Sequence, residues 1–302
     1  MTGLRRGPRR VRGCGAGVLT PDLRDGLRLM GPSGGGERRA SLGAIKRLVK
    51  VGASSALFFV DLARGRRLAQ SSRGVILLYH DVYEHQRGRF RRQLRTVRRC
   101  GTVVRLDDIE AVPDSRWRVA VTFDDGRRTF LETALDELLA EQVPVTLFVP
   151  AALLADTIPG EDAPLMTADE LRRLPQVIEI GSHGLMHVHE STLTTEDLKV
   201  ELIQSQRTLE ALIGRPVERH AYPYGDHSGA VVKAAGEVYR SSYTVTPHLA
   251  PPRSSGTTGR VVVDPDDWPI EFWLKIHGAY RWMGSYAGTK QRVKRLLRPI
   301  LS

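Results

Sequence analysis

The sequence predicts one α/β domain whose mostly parallel sheet forms a distorted (β/α) barrel of six to seven strands. Short apolar runs typical of buried strands alternate with helical patterns from Gly74 onward. These elements cover about 210 residues, which is too short for a complete eightfold barrel and fits one with irregular members. Polar clusters follow three of the strands, at the sheet edge where parallel α/β domains bind ligands.

Seven apolar runs predict the strands, and apolar residues at helical spacing predict the helices between them. The strands are Val75–Tyr79, Trp117–Phe123, Pro144–Val149, Val177–Ile180, Arg219–Tyr222, Tyr243–Val245 and Val261–Val263. The spacing of Phe90, Leu94 and Val97 predicts the first helix of the domain. The longest helix starts after Thr194, which can cap it, and ends before Gly214.

The composition of the 302 residues is that of a globular chain. Hydrophobic residues make up 41% and charged residues 26%, which excludes a wholly disordered protein. The two cysteines, Cys14 and Cys100, exclude a disulfide framework and a thiolate-rich zinc module. The longest apolar stretch, residues 51–63, is interrupted by Asp61 and is too short for a spanning helix of about 20 apolar residues.

The formal net charge of +11 is concentrated at the two ends of the chain. Residues 1–50 carry twelve Lys and Arg against three Asp and Glu, and residues 286–302 carry five against none, which leaves −3 for residues 51–285. A nucleic-acid enzyme would carry its positive charge on the folded surface, so a nucleic-acid partner is not expected. The basic ends fit either solubilising tails or peripheral contact with an anionic membrane.

The charge and hydropathy patterns divide the chain into four parts. Residues 1–40 are rich in Arg, Gly and Pro and are predicted to be a disordered basic tail. Residues 41–73 are predicted to form an amphipathic or linker helix, which either lies on a membrane face or packs on the domain. The domain itself is residues 74–282, and residues 283–302 are a basic C-terminal helix or tail. The first helix is predicted from Leu42, Ile45, Leu48 and Val49, which fall roughly on one side.

The sequence contains no convincing signal peptide or transmembrane helix. Both Met1 and Met30 are candidate start residues, and the apolar core that follows Met30 is broken by Asp61. We therefore expect a location that is cytoplasmic or peripheral to the membrane.

The first polar cluster is Asp124-Asp125-Gly126, directly after the strand that ends at Phe123. Successive side chains of a strand point to opposite faces, so two adjacent aspartates can share one site only if the backbone turns there. Gly126 permits that turn. An ordinary turn before a helix is the alternative interpretation.

The second cluster places His183 and His187 after the strand that ends at Ile180. Residues four apart fall on one side of a helical turn, close enough to share a metal ion. Two unrelated loop histidines would give the same pattern.

The third cluster is the turn Tyr222-Pro223-Tyr224-Gly225. Pro223 has no N–H, Tyr224 keeps one, and Gly225 allows an unusual backbone angle. The turn can therefore present one backbone donor to a ligand, as an oxyanion site requires, or it is an ordinary Pro-Tyr-Gly turn.

Together, the three clusters resemble the polysaccharide deacetylase family, the NodB-homology domain of chitin, chitooligosaccharide and peptidoglycan deacetylases. The resemblance covers residues 74–282 and includes Tyr79-His80-Asp81-Val82 and Thr146-Leu147-Phe148-Val149-Pro150. It implies a metal-dependent hydrolase that removes N-acetyl groups from N-acetylhexosamine units of a poly- or oligosaccharide and releases acetate.

The resemblance also implies the site residues. Asp125, His183 and His187 would bind one divalent metal ion, Zn in the first place, with Co, Ni, Mn or Fe as alternatives. Asp124 would be the catalytic base, and the Tyr224 N–H would help to hold the oxyanion. One carboxylate and two imidazoles leave a coordination position open, as in catalytic zinc sites, and an unligated carboxylate can accept a proton from water. The expected substrate-binding residues are Tyr222, Pro223, Gly225 and Trp268.

Two later residues are weaker candidates. Trp268 follows Asp264-Pro265-Asp266-Asp267, which resembles a family motif whose Trp walls the acetyl pocket, although a capped helix start would give the same residues. His277 is a candidate general acid, but its neighbours have the spacing of a packed helix.

The chain departs from the family pattern at two positions. Gly184 stands where many members carry a Ser or Thr whose hydroxyl can brace the metal loop. Ala221 stands where many carry an Arg that pairs with the catalytic Asp, and its loss would leave Asp124 without a cation. Arg219 is a candidate replacement, two residues away on the same strand.

Two alternative functions remain open. One is a deacylase of a lipid-linked sugar at the membrane face, and the other is a catalytically inactive glycan-binding module on the same fold. The expected partner is accordingly an N-acetylated glycan or a lipid-linked sugar.

Overall fold

The structure, a computed structural model, describes residues 34–63, 74–109, 117–247 and 257–284, with side chains from residue 44 onward. The predicted basic tails lie outside the described residues, except for residues 34–40 and 283–284.

The described strands form one parallel sheet that is nearly closed into a barrel. They are β1 (Gly74–Tyr79), β2 (Thr102–Val103), β3 (Arg118–Phe123), β4 (Val145–Val149), β5 (Ile178–Ser182), β6 (Arg219–Ala221), β7 (Ser241–Thr244), β8 (Thr257–Gly259) and β9 (Val261–Val262). The order in the sheet is β8-β7-β6-β5-β4-β3-β1-β9, and β2 pairs with β3. This confirms the predicted barrel-like α/β fold; the strands beyond six or seven include β2 and β8, which are too short to leave a hydrophobic pattern.

Arg260 lies at the point where the barrel closes. It is the one residue between β8, which pairs with β7, and β9, which pairs with β1. Its own N–H donates to the carbonyl of Thr244 at 2.9 Å. A short continuous segment therefore connects the two ends of the sheet.

The helices follow the strands in the order expected of an α/β domain. They are α1 (Gly34–Ala63), α2 (Arg87–Cys100), α3 (Leu106–Ile109), α4 (Leu135–Ala140), α5 (Ala168–Arg172), α6 (Thr195–Ile213), α7 (Gly229–Val238) and α8 (Pro269–Ile276). A π-helical turn, Phe130–Ala134, leads into α4. The Thr194 side chain caps the start of α6, and Gly214 ends it with a left-handed φ of 69°, as the sequence predicts.

The main core lies between the sheet and the helices packed on it, and its part beneath α2 supports the carboxyl edge of the strands. All six residues of β1 and of β3 are buried. The rings of Tyr79 and Phe123, the last residues of these paired strands, stack with centroids 5.2 Å apart. Phe90 of α2 packs edge-on against both rings. The residues that follow Tyr79 and Phe123 are therefore attached to a tightly packed part of the core.

The chain divides into two compact units, residues 1–47 and residues 48–302. Within the second unit, the inner face of α1 is fixed to the segment around α8. The Trp282 indole N–H donates to the Ser54 hydroxyl at 3.0 Å, and the Phe58 and Trp273 rings meet edge-on at 4.9 Å. Asp61, which interrupts the apolar run, is buried and pairs with Arg281. Among the described helices, none is long and apolar enough to cross a membrane.

Candidate active site

The backbone turns at the first cluster, Asp124-Asp125-Gly126, as it must if two adjacent aspartates are to share one site. The Asp124 N–H still donates to the carbonyl of Tyr79 at 3.0 Å, which extends the pairing of β1 with β3. Asp125 and Gly126 then both adopt left-handed backbone angles, with φ of 71° and 68°. The turn thus begins one residue earlier than Gly126, at Asp125 itself. Both carboxylates are buried as a result, and both face the same site.

The second cluster follows β5, but the predicted helical turn is wrong. His183–His189 form an irregular segment, in which Gly184 and His187 have left-handed φ angles of 77° and 52°. The His183 N–H donates to the carbonyl of Val149 at 2.9 Å, so the segment leaves the sheet in register with β4. The two imidazole rings converge because the backbone folds back, with centroids 4.8 Å apart.

Asp125, His183 and His187 meet as a potential metal centre. One ligand atom from each side chain lies within 4.8 Å of the others, and all three residues are buried. The Nε2 atoms of His183 and His187 lie 3.5 and 3.4 Å from the same oxygen, Oδ1 of Asp125. Two imidazole nitrogens and one carboxylate oxygen are the donor set of a catalytic divalent-metal site. The residues present therefore fit the metal that the sequence implies.

A hydrogen bond fixes the ring orientation of His183. Its Nδ1 lies 2.7 Å from the carbonyl oxygen of Ala221. Because a carbonyl oxygen only accepts, Nδ1 carries a proton, so Nε2 is the nitrogen that faces the site and would offer its lone pair to a metal ion.

The carboxylates and the imidazole shift one another's pKa. Burial disfavours the ionised form of Asp125, but hydrogen bonds from His183 and His187 outweigh it and hold the pKa of Asp125 well below its ordinary value. Burial likewise disfavours the charged form of His183, but the carboxylates of Asp124 and Asp125 outweigh it and raise the pKa of this imidazole. Asp125 is therefore ionised at neutral pH, as a metal ligand must be.

Arg127 holds the second oxygen of Asp125. Its Nε and Nη2 donate to Oδ2 at 3.0 and 2.9 Å. The same guanidinium contacts Asp81 at 3.4 Å and also Glu161. With Oδ2 occupied in this way, Asp125 offers Oδ1 alone to a metal ion. Arg127 was not singled out from the sequence.

Arg260 supplies the cation that Ala221 lacks. Its Nη1 and Nη2 donate to Oδ1 and Oδ2 of Asp124 at 2.6 and 2.7 Å, and the whole side chain is buried. The expectation that Asp124 is left without a cation is therefore wrong. The candidate replacement, Arg219, pairs instead with Glu179 and Asp107. The sequence does contain a signal for this pairing. Arg260 directly precedes the apolar run Val261–Val263, and an arginine buried with that strand requires an acidic partner.

Glu201 of α6 holds the backbone of the histidine segment, His183–His189, through its carboxylate. One oxygen, Oε1, accepts the N–H groups of Leu185 and Met186, both at 2.8 Å. A Cβ atom on Gly184 would lie 2.9 Å from that same oxygen. A Ser or Thr at position 184 would therefore force the carboxylate of Glu201 to shift, and in this chain the brace comes from α6. Sequence reasoning missed Glu201 because it lies on an ordinary helix.

The third cluster lies against the histidine segment. Tyr224 has a left-handed φ of 59°, and its ring meets the ring of His187 at 4.6 Å and stacks on that of His189 at 4.2 Å. Tyr222 is fully buried, with its hydroxyl 3.2 Å from that of Thr257, so it shapes the site only from behind. The remaining two residues also pack inward: Pro223 faces Gly184, and Gly225 approaches Val245 too closely for any side chain.

The two later candidates lie apart from the buried aspartates and histidines. Trp268 stands at the N-cap position of α8 and lines a separate cleft of about 610 Å³ together with Arg89 and Phe272. His277 lies just beyond the end of α8, and the neighbouring Ile276 carbonyl accepts a hydrogen bond from the indole of Trp117 at 2.9 Å. Because Trp117 precedes β3 and Asp124 follows it, His277 is at the opposite edge of the sheet.

Comparisons with known proteins agree with this geometry. The family model described as polysaccharide deacetylase matches residues 111–239, which include the Asp, His and Tyr clusters but not Arg260. Chitin deacetylase 1 of Cryptococcus neoformans var. grubii is 27% identical over 172 residues, which are 57% of this chain and 33% of that protein. The chain thus spans about a third of the length of this curated relative.

Solved structures share the fold at low sequence identity. IcaB from Ammonifex degensii has a TM-score of 0.60 and 22% identity and covers 68% of this chain and 98% of its own. The Streptococcus pyogenes deacetylase PplD in complex with acetate has a TM-score of 0.58 and 18% identity and covers 68% and 99%. The BpsB deacetylase domain of Bordetella bronchiseptica has a TM-score of 0.52 and 17% identity and covers 63% and 96%. These structures share the fold, and the family model confirms the resemblance to polysaccharide deacetylases, a family of hydrolases that act on N-acetyl amide bonds of glycans.

Proposed function

We propose that this chain is a metal-dependent hydrolase that removes the acetyl group from N-acetylhexosamine units of a glycan. The observation that carries the proposal is the division of two adjacent carboxylates between two roles. Asp125 faces the imidazoles with one oxygen. Asp124 is buried beside them but is held by Arg260 through both of its oxygens. One carboxylate is thus placed to bind a metal ion, and the other is placed to accept a proton.

The side chains of this site can perform the steps of amide hydrolysis. A bound divalent ion, Zn in the first place, would polarise the acetamide carbonyl and acidify a water molecule. Asp124 accepts the proton of the attacking water, because it is a carboxylate outside the ligand set. Arg260 keeps its two oxygens in a fixed orientation, so that no rotation is required at the moment of transfer.

Attack of the water on the acetamide carbon places a negative charge on the former carbonyl oxygen. Tyr224 lies against His187, with ring centroids 4.6 Å apart, and its backbone N–H would donate to that oxygen. Cleavage of the C–N bond requires a proton on the leaving nitrogen, and the proton that Asp124 accepted from water is available for it, so the products are acetate and a free amine. The amine is cationic at neutral pH, so the reaction changes how the glycan meets anionic partners.

The substrate is proposed as an N-acetylated poly- or oligosaccharide, with a lipid-linked N-acetylated sugar as the second candidate. A cleft of about 730 Å³ lies beside the site, and its lining includes Tyr224, His189 and Asp226. This mixed aromatic and polar lining suits a sugar ring, which offers apolar faces and hydroxyl groups. The lining also includes Lys50 of α1, which favours a substrate that is presented close to that helix.

Mass spectrometry of acetylated sugars tests the proposed function. Purified, zinc-loaded protein is incubated with N-acetylglucosamine oligomers and, separately, with a detergent-dispersed lipid-linked N-acetylated sugar. We expect a mass loss of about 42 Da per acetyl group, together with stoichiometric acetate. The Asp124→Asn variant is the matched control, since it keeps the proposed ligands. Protein that binds metal and oligosaccharide but forms no amine would instead be a glycan-binding module.

A further inference from the structure

We propose that the outer face of α1 docks on the surface of an anionic lipid bilayer. This outer face consists of Leu48, Val49, Gly52, Ala56, Phe59 and Leu62, and all six residues are exposed. The docking stands apart from the proposed function, since neither its argument nor its test uses the catalytic residues.

The outer face is apolar except for Ser55, which is half-buried and whose hydroxyl donates to the Val51 carbonyl at 2.8 Å. Val49, Phe59 and Leu62 are 63%, 64% and 65% exposed, which is high for side chains of this size. At 100° per residue, the six positions fall on one side of the helix. Exposed apolar groups that lie together on one helix face, rather than singly, mark a contact surface.

The opposite face of α1 explains why the outer face is presented in a fixed orientation. Ser54, Phe58 and Asp61 point toward the domain and contact Trp282, Trp273 and Arg281, respectively. Asp61, the one acidic residue between positions 38 and 80, is therefore turned away from the outer face and neutralised. The outer face thus combines a rigid attachment with the absence of negative charge.

Basic residues that precede and follow the outer face along the sequence select the occupant. Lys46, Arg47 and Lys50 lie at its start, and the sequence after α1 continues with Arg64, Arg66 and Arg67. A second copy of the chain would bring these like charges together. Anionic headgroups complement them, and an interfacial helix with apolar and basic sides is the usual form of such binding. A bilayer surface is therefore favoured over self-association.

The docking would also place the candidate site at the membrane. The cleft beside Tyr224 and His189 is lined by Lys50, which at 100° per residue lies on the side of α1 opposite the outer face. A docked α1 would therefore leave that cleft one helix diameter, ~10 Å, from the headgroups, within reach of a lipid-linked sugar or a membrane-proximal glycan. This consequence, unlike the docking, rests on the proposed function.

Vesicle flotation tests the docking. The full chain is mixed with vesicles of phosphatidylcholine containing about 30% phosphatidylglycerol, or with phosphatidylcholine alone. We expect flotation with the anionic vesicles, and about tenfold or greater loss of bound protein for Phe59→Glu. Val200→Glu, at a similarly exposed apolar residue of α6 (52%), is the control and should float like the parent chain. A milder variant, Leu62→Ser, should give an intermediate loss.

Three outcomes would overturn the proposal. They are no flotation of the parent chain, equal flotation of Phe59→Glu, or a dimer by light scattering that Phe59→Glu dissociates. Circular dichroism must show that the variants are folded. Turnover of soluble N-acetylglucosamine oligomers should be the same for Phe59→Glu and the parent chain, so a failure of docking and a failure of deacetylation are seen separately.

Discussion

The guanidinium of Arg260 donates two parallel hydrogen bonds, of 2.6 and 2.7 Å, to the carboxylate of Asp124. Arg260 is also the residue that joins β8 to β9. The orientation of the proposed base is thus set by the closure of the barrel. A guanidinium held in this two-pronged way fixes both position and plane of a carboxylate, which a single ammonium charge does not. The guanidinium also lies 5.1 Å from the centre of the Phe148 ring, which restricts it further.

The substitution Arg260→Lys should keep a positive charge beside Asp124 but lose the paired hydrogen bonds that orient its carboxylate. We expect kcat to fall about 10²-fold with metal content unchanged, because misplacing a reacting group by about 1 Å costs this much. Steady-state kinetics and metal analysis of the same preparation measure both. Arg219→Lys is the matched control, a buried and ion-paired arginine whose partners are Glu179 and Asp107. Unchanged kcat in Arg260→Lys would mean that Asp124 needs no fixed orientation.

Asp124→Asn should retain the metal and lose turnover. An amide of the same size cannot accept the proton, and loss of a general base lowers kcat by about 10²- to 10⁴-fold. His183→Ala should lose both metal and turnover, because it removes one of three ligands. Metal stoichiometry after dialysis separates the two variants. If Asp124→Asn turned over at the parent rate, the base would be a different residue.

Glu201→Ala should weaken metal binding without touching a ligand. The N–H groups of Leu185 and Met186 would lose their acceptor, and outer partners of metal ligands change affinity by about 10- to 100-fold. Glu201→Gln keeps an acceptor oxygen and should recover most of the affinity. Calorimetric titration of the metal-free protein with Zn²⁺ measures this without reference to activity. Equal affinities in all three proteins would show that α6 does not brace the histidine segment.

His277→Gln should leave turnover within about twofold of the parent chain. The imidazole packs on Trp273 and Phe58, and its Nδ1 bonds the Trp273 carbonyl at 2.8 Å, at the sheet edge opposite Asp124. Burial lowers the pKa of His277, which also disfavours the protonated form that an acid requires. Loss of a true general acid would cost about 10²-fold or more, so kcat decides between the two roles.

Glu137→Gln should destabilise the fold at neutral pH but not in acid. Hydrogen bonds from Arg91 of α2, at 2.6 and 2.7 Å, hold the pKa of Glu137 below its ordinary value of 4.5. The folded state therefore binds fewer protons than the unfolded state, so this stabilisation is present above about pH 4.5 and is lost as the pH falls through the lowered pKa. Arg91 is half exposed, and we expect a difference of about 1 kcal/mol at pH 7.

Urea unfolding of the metal-free protein at pH 7 and at about pH 3.5 measures that difference. Glu132→Gln, an exposed carboxylate near the same helix whose contact with Arg128 is 3.7 Å, is the control and should change little. A difference between Glu137→Gln and the parent chain that grows in acid would contradict the assignment.

The sequence by itself determined the barrel-like α/β fold and the three clusters, because both depend on local pattern. Strand alternation, the Thr194 cap and the Gly214 stop are properties of adjacent residues, and so are the polar runs after strand ends. The convergence of Asp125, His183 and His187 also followed from the fold class, since parallel strands bring their carboxyl ends to one edge.

Only the tertiary structure decided which residues support the site. Arg260 lies 136 positions after Asp124, and Glu201 acts from a helix whose pattern is that of any amphipathic helix. The loop that brings His183 and His187 together is not helical: Gly184 and His187 have positive φ angles, and Glu201 accepts the N–H groups of Leu185 and Met186 between them. A partner for a buried charge is chosen by proximity in space, and sequence separation carries no information about it.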